Sequence, residues 1–152
     1  STLKIRMDEI PVSLAIAQAA KETGWGTSRF AIEGNALFGQ WTYSGEGLKP
    51  LALDNDKNHK VMKFTILKAS IRAYQRNLNT HSSYKSFRKV RAELRDNQEG
   101  LNSLILAEHL DKYAETGKEY TKILKQIIKQ NSLIDFDNVK LLPTTIKLKN
   151  II

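Results

Sequence analysis

The stretch SLAIAQAAKETGWGTSRF, residues 13–30, decides how this chain folds. Its first eight residues are small and mostly apolar, which predicts a buried helix. Pro11 suits a first helical position and Gly24 suits the position after the last turn, so we predict a helix from about Pro11 to Glu22. That helix ends on a carboxylate, Glu22, directly before Thr-Gly-Trp-Gly.

Glu22 lies where an ionised carboxylate is unfavourable. Gln18 and Ala19 share its helix face one turn earlier, so the carboxyl group should be partly removed from water. It also lies at the negative end of the helix dipole. Both effects raise a pKa, and a carboxyl group that keeps a proton near neutral pH can act as a general acid. The alternative is a surface ion pair with Lys21 or Arg29, which is ordinary at helix ends.

The composition predicts a single globular domain, residues 1–152, with 41% hydrophobic and 26% charged residues. No cysteine is present, and the three histidines, His59, His81 and His109, are far apart, so we expect no metal site and no cofactor. We recognise neither a signal peptide nor a membrane-spanning run of about 18 apolar residues. The formal net charge of +8 favours a polyanionic partner: nucleic acid, anionic lipid or anionic cell wall.

Helical periodicity predicts further helices around one irregular lobe. That lobe covers about residues 41–64 and is predicted to hold a β-hairpin that turns at Asn55-Asp56 between residues 48–53 and 59–64. The tail, about residues 132–152, has no clear pattern. The predicted fold class is therefore mainly α (α+β). The further helices are predicted at about Ser28–Glu33 with Gly34 closing it, Ile66–Asn77 with Thr65 as N-cap, Tyr84–Arg95, Leu101–Tyr113 and Lys118–Gln130.

The chain has no glycine-rich phosphate loop, no GxSxG motif and no nucleophile–histidine pattern. Glycoside hydrolysis needs only carboxyl groups in a cleft, and a helical lobe that faces a small lobe can form one. The basic set on the fourth predicted helix is interpreted as a solvated face that attracts anionic polymer, and His81 as a helix-linking or capping residue. That basic set is Lys85, Arg88, Lys89, Arg91 and Arg95.

Four blocks, AQAAKETGWGTS, NALFGQW, ASIRAYQRNLNTHSSYKSFRKVRA and LDKYAETGKEYTKILKQIIKQNSL, resemble the peptidoglycan glucosaminidases of the glycoside hydrolase 73 class. Within that class the blocks most resemble the bacterial Bax-like group of cell-envelope proteins. They cover the chain from about Met7 to Leu133. The resemblance implies a lysozyme-like fold, a helical lobe and a small β-lobe with a cleft between them, and peptidoglycan glycan strands as substrate. It also implies a cell-envelope location, and we expect a monomer.

The resemblance implies that Glu22 is the general acid and that Trp25 packs beneath the turn after it. Tyr113 matches the first tyrosine of the family block YATDPxY, although this chain has Glu-Thr-Gly in place of Thr-Asp-Pro. Tyr74 would also fit an ordinary core position on its helix, and Trp41 would either stack on a sugar or anchor the small lobe. The expected substrate-binding residues are Phe38, Gln40, Trp41, Tyr74, Asn77 and Tyr113.

A second catalytic group is expected in the small lobe. Glu46, between two glycines, is the first candidate, followed by Asp54 and Asp56 in the predicted turn, and then Glu33. A retaining enzyme can instead use the acetamido group of the substrate.

The predicted reaction is hydrolysis of the β-1,4 bond between N-acetylglucosamine and N-acetylmuramic acid. The alternatives are a muramidase, a lytic transglycosylase, or a cell-wall-binding module without activity. Nucleic-acid binding is not expected because the chain contains no recognisable DNA-reading motif.

Overall fold

Helices make up most of the part of the chain that the computed structural model describes, residues 2–42, 46–49 and 60–140. The mainly helical fold with a small β-lobe is confirmed. Within the described ranges, no helix has both the length and the apolarity needed to cross a bilayer. The α-helices are α1 Thr2–Ile5, α2 Val12–Thr23, α3 Arg29–Gly34, α4 Leu67–Thr80, α5 Lys85–Asp96, α6 Ser103–Ala107 and α7 Lys118–Gln130, with 3-10 helices at Ser82–Tyr84 and Leu133–Phe136.

Helix α2 forms where the small apolar stretch predicts it. Pro11 precedes its first residue, and Gly24 follows its last with a left-handed backbone, φ +57°. The N–H of Trp25 reaches back 2.9 Å to the carbonyl oxygen of Ala20 and closes the last turn. The predicted bounds are confirmed to within one residue at each end, because proline and glycine restrict the backbone where they stand.

The predicted N-cap of α4 is wrong. Ile66, not Thr65, occupies the cap position, with an extended backbone and no side-chain cap. The helix also continues past the predicted end at Asn77 to Thr80. Leu78 and Asn79 are buried, so packing against the core stabilises this last turn. In α3, Gly34 is the last helical residue, and the left-handed cap position predicted for it is occupied by Asn35.

Helix α6 is much shorter than the predicted Leu101–Tyr113. Asn102 caps its start by accepting two backbone hydrogen bonds. After Ala107 the chain continues in tight turns, such as the bond from the N–H of Leu110 to the carbonyl oxygen of Ala107, 3.1 Å long. Both residues are fully buried. Tight turns place apolar residues at spacings close to those of a helix, so periodicity alone predicted one continuous helix.

The small lobe contains a three-stranded antiparallel sheet in the order β1-β3-β2. The buried Val61 pairs with Trp41 on one side and with Leu48 on the other. The predicted pairing of the two hairpin segments is therefore confirmed, whereas its turn at Asn55-Asp56 lies outside the described residues. The additional strand β1 was not predicted. The strands are β1 Trp41–Thr42, β2 Gly47–Leu48 and β3 Lys60–Met62.

Helix α2 is at the centre of the core. It packs against α6, α7 and the 3-10 helix at Leu133–Phe136. Leu14 and Ala17 of α2 are fully buried, as are Leu124 and Ile128 of α7. Small side chains on α2 allow the surrounding helices to approach closely, and this places the end of α2, with Glu22, at the edge of the core.

The basic face of α5 is only partly solvated, which corrects the interpretation from the sequence. Arg91 is 1% exposed and donates to the backbone carbonyls of residues 5, 8 and 9 and to the side chain of Asn79. Arg88 is also buried and donates to the carbonyl oxygens of Leu78 and His81. Guanidinium groups carry five donors, so a buried arginine can satisfy several carbonyls at once. Arg91 therefore joins α5 to the N-terminal segment, and Arg88 joins α5 to the end of α4, so neither side chain faces solvent.

Candidate active site

An open cleft of about 620 Å³ lies between the helices and the small sheet. Glu22 forms part of its wall at the last turn of α2. Trp41 and Met62 line it from the sheet, and Asn77 and Tyr113 line it from the helical side. The cleft joins residues from both lobes, so the fold brings the predicted acid next to the predicted binding residues.

The carboxyl group of Glu22 is half-buried and held from behind. Burial raises its pKa, while the hydrogen bond from Tyr120 and the positive charge of Lys21 lower it, and burial is the largest of these effects. The hydroxyl of Tyr120 donates to Oε1 of Glu22 over 2.9 Å. Arg29, considered above as a surface partner, instead pairs with Glu33 at 3.3 Å. Burial therefore favours the protonated form of this carboxyl group, which is the form that a general acid needs.

The loop after α3 touches the other oxygen of Glu22. Gly39 has a left-handed backbone, φ +59°, and a Cβ placed on it would lie 2.6 Å from Oε2 of Glu22. No L side chain fits that position without moving the carboxylate. The glycine of the NALFGQW block therefore has a direct role in shaping the site.

Aromatic rings form the back wall of the cleft. Tyr113 stacks on Tyr120 with ring centroids 5.7 Å apart, and its hydroxyl donates to the carbonyl oxygen of Phe38 over 2.7 Å. Burial raises the pKa of Tyr113 well above its usual value, so this hydroxyl stays protonated. Phe38 in turn stacks on Tyr74 with centroids 3.9 Å apart. These contacts fix the loop after α3 against α4 and the segment that precedes α7.

A buried hydrogen-bond chain leads from the core to Glu22. The hydroxyl of Tyr74 donates to Oε1 of Gln18 over 2.7 Å. The Nε2 of Gln18 donates to the hydroxyl oxygen of Tyr120 over 3.0 Å, and Tyr120 donates to Glu22. Gln18 is fully buried and Tyr74 and Tyr120 are each 1% exposed.

Six of the eight predicted site residues line the cleft, namely Glu22, Phe38, Gln40, Trp41, Asn77 and Tyr113. Tyr74 lies behind the cleft in the core, where its hydroxyl is bound to Gln18. Glu46 is exposed, lies directly before β2 and does not belong to the cleft wall. Asp54 and Asp56 lie outside the described residues.

Trp25 does not pack beneath the turn after Glu22, which corrects the expectation from the resemblance. Its side chain is 60% exposed and its backbone is left-handed, φ +60°. Two glycines flank it, also with positive φ, and a carbonyl of α2 accepts its N–H. The backbone of this motif, rather than the indole ring, makes the turn.

Glu115, His81 and Tyr84 also line the cleft, and the sequence did not single them out for the site. Tyr84 was predicted only as the first residue of a helix, and its side chain is hydrogen-bonded to Asn77. The capping role predicted for His81 is confirmed, since its Nδ1 accepts from the N–H of Ser83. Glu115 stands where the family block has threonine, and this departure was the available signal.

Among the described residues, no group of three or more metal-ligating side chains is gathered in one place. What the cleft does contain is a half-buried carboxyl group, a second carboxylate at Glu115, and amide and aromatic side chains. Carboxyl groups can transfer protons, and amide and aromatic side chains can bind a polar, ring-shaped substrate.

Sequence comparison connects this geometry to known proteins. Residues 4–133 match the glucosaminidase family, which is described as mannosyl-glycoprotein endo-beta-N-acetylglucosaminidase. The chain belongs to the glucosaminidase family. It is also similar to Protein bax of Escherichia coli strain K12, with 37% identity over 131 residues. No solved structure is significantly similar to it.

The alignment with Protein bax covers 86% of this chain and 46% of the E. coli protein, so the chain spans about half the length of the curated relative it matches. The predicted resemblance to Bax-like glucosaminidases is thereby confirmed. The family match includes both lobes, and every residue of the cleft wall lies within it. The glucosaminidases are glycosidase-type enzymes, so the cleft is the candidate active site of a glycan hydrolase.

Proposed function

We propose that this domain hydrolyses the β-1,4 bond between N-acetylglucosamine and N-acetylmuramic acid in peptidoglycan, with Glu22 as the general acid. The observation that carries the proposal is the carboxyl group of Glu22. It is half-buried in the wall of an open cleft, and burial raises its pKa, in a chain of the glucosaminidase family. An open, polar-lined cleft between two lobes suits a glycan strand that passes through it.

In the proposed reaction, Glu22 gives its proton to the glycosidic oxygen as the bond to the anomeric carbon breaks. Positive charge then develops on the sugar ring, as an oxocarbenium-like centre. A carboxyl group with a raised pKa keeps its proton to a higher pH than a free glutamate does, and the carboxylate left after the transfer accepts the hydrogen bond that Tyr120 already donates. The same carboxylate can then accept a proton from water in a second step if the enzyme is retaining.

The sugar would be held by groups at the cleft surface. Trp41 is half-exposed on β1 and offers an aromatic face for stacking against a sugar ring. Asn77, hydrogen-bonded to Tyr84, presents a polar edge on the opposite side. The net charge of +8 supports attraction to an anionic cell wall, and with it an envelope location.

The second catalytic group is either a carboxylate or the acetamido group of the substrate. Glu115 lies in the cleft wall with Glu22, whereas Glu46 is exposed outside that wall. An inverting reaction needs a carboxyl pair about 6.5–9.5 Å apart, and a retaining one about 5–5.5 Å. The position of Glu115 supports it as a candidate beside Glu46.

The test is Glu22→Gln, which removes the transferable proton and keeps the shape of the side chain. We expect kcat on purified sacculi to fall by about 10²–10⁴-fold, the usual contribution of a general acid. Glu33→Gln is the matched control, because Glu33 is exposed, pairs with Arg29 and does not line the cleft. Circular dichroism checks that both variants fold. Full activity in Glu22→Gln would contradict the proposal.

Mass spectrometry of the products separates the possible bond specificities. A reducing N-acetylglucosamine end supports the glucosaminidase, a reducing muramic acid end a muramidase, and an anhydro-muramic end a lytic transglycosylase. The same assay on Glu115→Gln and Glu46→Gln assigns the second group. If only one variant loses activity, its glutamate is that group. If both remain fully active, the second group is Asp54, Asp56 or the substrate acetamide.

A further inference from the structure

Gln18 is a fully buried amide one helical turn before Glu22 on α2. Burying an amide away from water is costly unless each polar atom finds a partner. Both polar atoms of Gln18 do so, with Oε1 bound to Tyr74 and Nε2 to Tyr120. A leucine would fill such a core position more simply. The amide is therefore a feature that needs an explanation beyond packing.

The direction of this hydrogen-bond chain is set at its buried end. The O–H of Tyr74 donates to Oε1 of Gln18, and in the described part of the chain Gln18 is its hydrogen-bond partner. If the amide rotated by half a turn, the hydrogen of Tyr74 would face the amide N–H₂ and lose its acceptor. Leaving a buried donor unpaired is unfavourable, so Tyr74 holds Oε1 of Gln18 toward itself.

The amide then decides what Tyr120 does. With Nε2 of Gln18 donating to the hydroxyl oxygen of Tyr120, the single hydrogen of Tyr120 points away, toward Oε1 of Glu22. Burial raises the pKa of both Tyr74 and Tyr120, so both hydroxyls keep their hydrogens and remain donors. Oε1 of Glu22 accepts in either protonation state. The acidic proton is left to Oε2, on the side where Gly39 borders the cleft.

We propose that Gln18, oriented by Tyr74, is a positioning residue: it makes Tyr120 a hydrogen-bond donor to Oε1 of Glu22, so that the acidic proton is carried on Oε2 and faces the cleft. With the amide reversed, Tyr120 would donate to Gln18 and accept from Glu22, and the proton would point into the core. The proposal rests on the assignment of Glu22 as general acid and extends it to three residues that have no need to touch the sugar.

The experiment measures the titration of Glu22 directly, by the side-chain carboxyl ¹³C shift in the free protein, and kcat and KM on sacculi separately. The variants are Tyr74→Phe, Gln18→Met and Tyr120→Phe. Tyr120→Phe removes the hydroxyl that donates to Glu22, and Tyr74→Phe or Gln18→Met allows that hydroxyl to reverse its hydrogen bond. Because this donor favours the ionised carboxylate, the pKa of Glu22 should rise in all three variants. We expect kcat to fall about tenfold or more, as for a misdirected general acid, with KM little changed.

Other charged or titratable groups lie near Glu22, and for this reason the Glu22 resonance itself is followed. These groups are Lys21 on the same helix, His81, Tyr84, Tyr113 and Glu115 around the cleft, and Tyr120 on α7. Ser13→Ala is the matched control, because Ser13 is also fully buried on α2 and its hydroxyl donates to Asp137 over 2.8 Å. That variant should leave both the titration and kcat unchanged.

A double substitution gives the sharpest result. If Tyr74 acts through Gln18 and Tyr120, then Tyr74→Phe with Tyr120→Phe should shift the titration no further than Tyr120→Phe alone. Additive shifts, or an unshifted titration in Tyr74→Phe, would overturn the proposal. Tyr74→Phe removes one oxygen and no ring, so it carries the test even if Gln18→Met does not fold. The titration needs no turnover, so its outcome is independent of whether Glu22→Gln loses activity.

Discussion

Gly39 and Glu22 constrain each other at the scale of single atoms. The backbone of Gly39 is left-handed, and the missing Cβ leaves the space that Oε2 of Glu22 occupies, 2.6 Å from the position a Cβ would take. The three atoms nearest to that Cβ position all belong to the flexible side chain of Glu22. Any side chain at this position would therefore displace the carboxylate before it displaced the backbone.

Gly39→Ala should reduce activity far more than stability. The left-handed backbone costs alanine about 1–2 kcal/mol. Displacing the carboxylate by about 1 Å should lower kcat by about 10²-fold. Gly26→Ala is the control, because Gly26 also has a positive φ, +81°, but a Cβ there meets nothing within 4 Å. Similar activity losses in the two variants would show that backbone strain, not contact with Glu22, is responsible.

At the residue scale, the sequence identified Glu22 because a carboxylate follows a small apolar helix. It did not identify Gln18, which looks like one polar residue in that same helix. The difference is that the environment of Glu22 can be read from adjacent residues, whereas the value of Gln18 depends on Tyr74 and Tyr120, 56 and 102 positions away.

At the scale of elements, the helices that are flanked by proline or glycine were predictable. Helix α7 matches its predicted bounds at both ends, Lys118 and Gln130, and its apolar face is regular. Helix α4 was predicted less closely, since it begins one residue later than expected and Thr65 is not its N-cap. The cap position is instead taken by Ile66, which is 56% exposed and has an extended backbone.

Ile66→Ser should stabilise the protein by about 0.5–1 kcal/mol, since serine can accept a hydrogen bond from the first turn of α4 and isoleucine cannot. Thr65→Ala should change stability little, because Thr65 is not the cap. Urea denaturation measures both free energies of unfolding. The reverse ranking, with Thr65→Ala the costly change, would place the start of the helix one residue earlier.

The strands could not be predicted as well as the helices. Each described strand has only two or three residues, too few for an alternating pattern to be distinguished from an irregular segment. What holds β1 in place is its pairing with β3. Such pairing depends on residues from a distant segment of the chain.

At the scale of the whole molecule, α5 anchors the N-terminal segment. Arg95 binds the carboxylates of Asp8 and Glu9, and Arg91 binds the carbonyls nearby from a buried position. Asn79 completes the contact by donating to the carbonyl oxygen of Asp8. Asn77 and Asn79 are two residues apart on α4 but face different places: Asn77 lines the cleft, and Asn79 contacts the N-terminal segment.

Because Asp8 is part of this contact, the free energy of unfolding should depend on pH. Burial raises the pKa of Asp8, but the hydrogen bonds from Arg95 and from the N–H of Glu9 and the charges of Arg95 and Arg91 outweigh it, so the pKa is lowered overall. A lowered folded-state pKa contributes stability above the unfolded value, about 3.9, and that contribution disappears as pH falls through the folded value.

Asp8→Asn should therefore lower the free energy of unfolding by about 1–2 kcal/mol at pH 7, with a smaller difference at about pH 2. Asp111→Asn, at an exposed position, is the charge-matched control. Urea denaturation at both pH values provides the comparison. A difference for Asp8→Asn that does not change with pH would contradict the linkage.

The sequence by itself determined the helical fold class, the bounds of α2 and α7, the pairing of β2 with β3, and Glu22 as the residue of interest. These features follow from local spacing, from proline and glycine, and from the apolar setting of one carboxylate. Only the tertiary structure decided that Tyr74 lies behind the cleft, that Glu115 lies in it, and that Gln18 links the core to Glu22. Those facts depend on where side chains from distant segments meet, and chain folding, not local pattern, sets such distances.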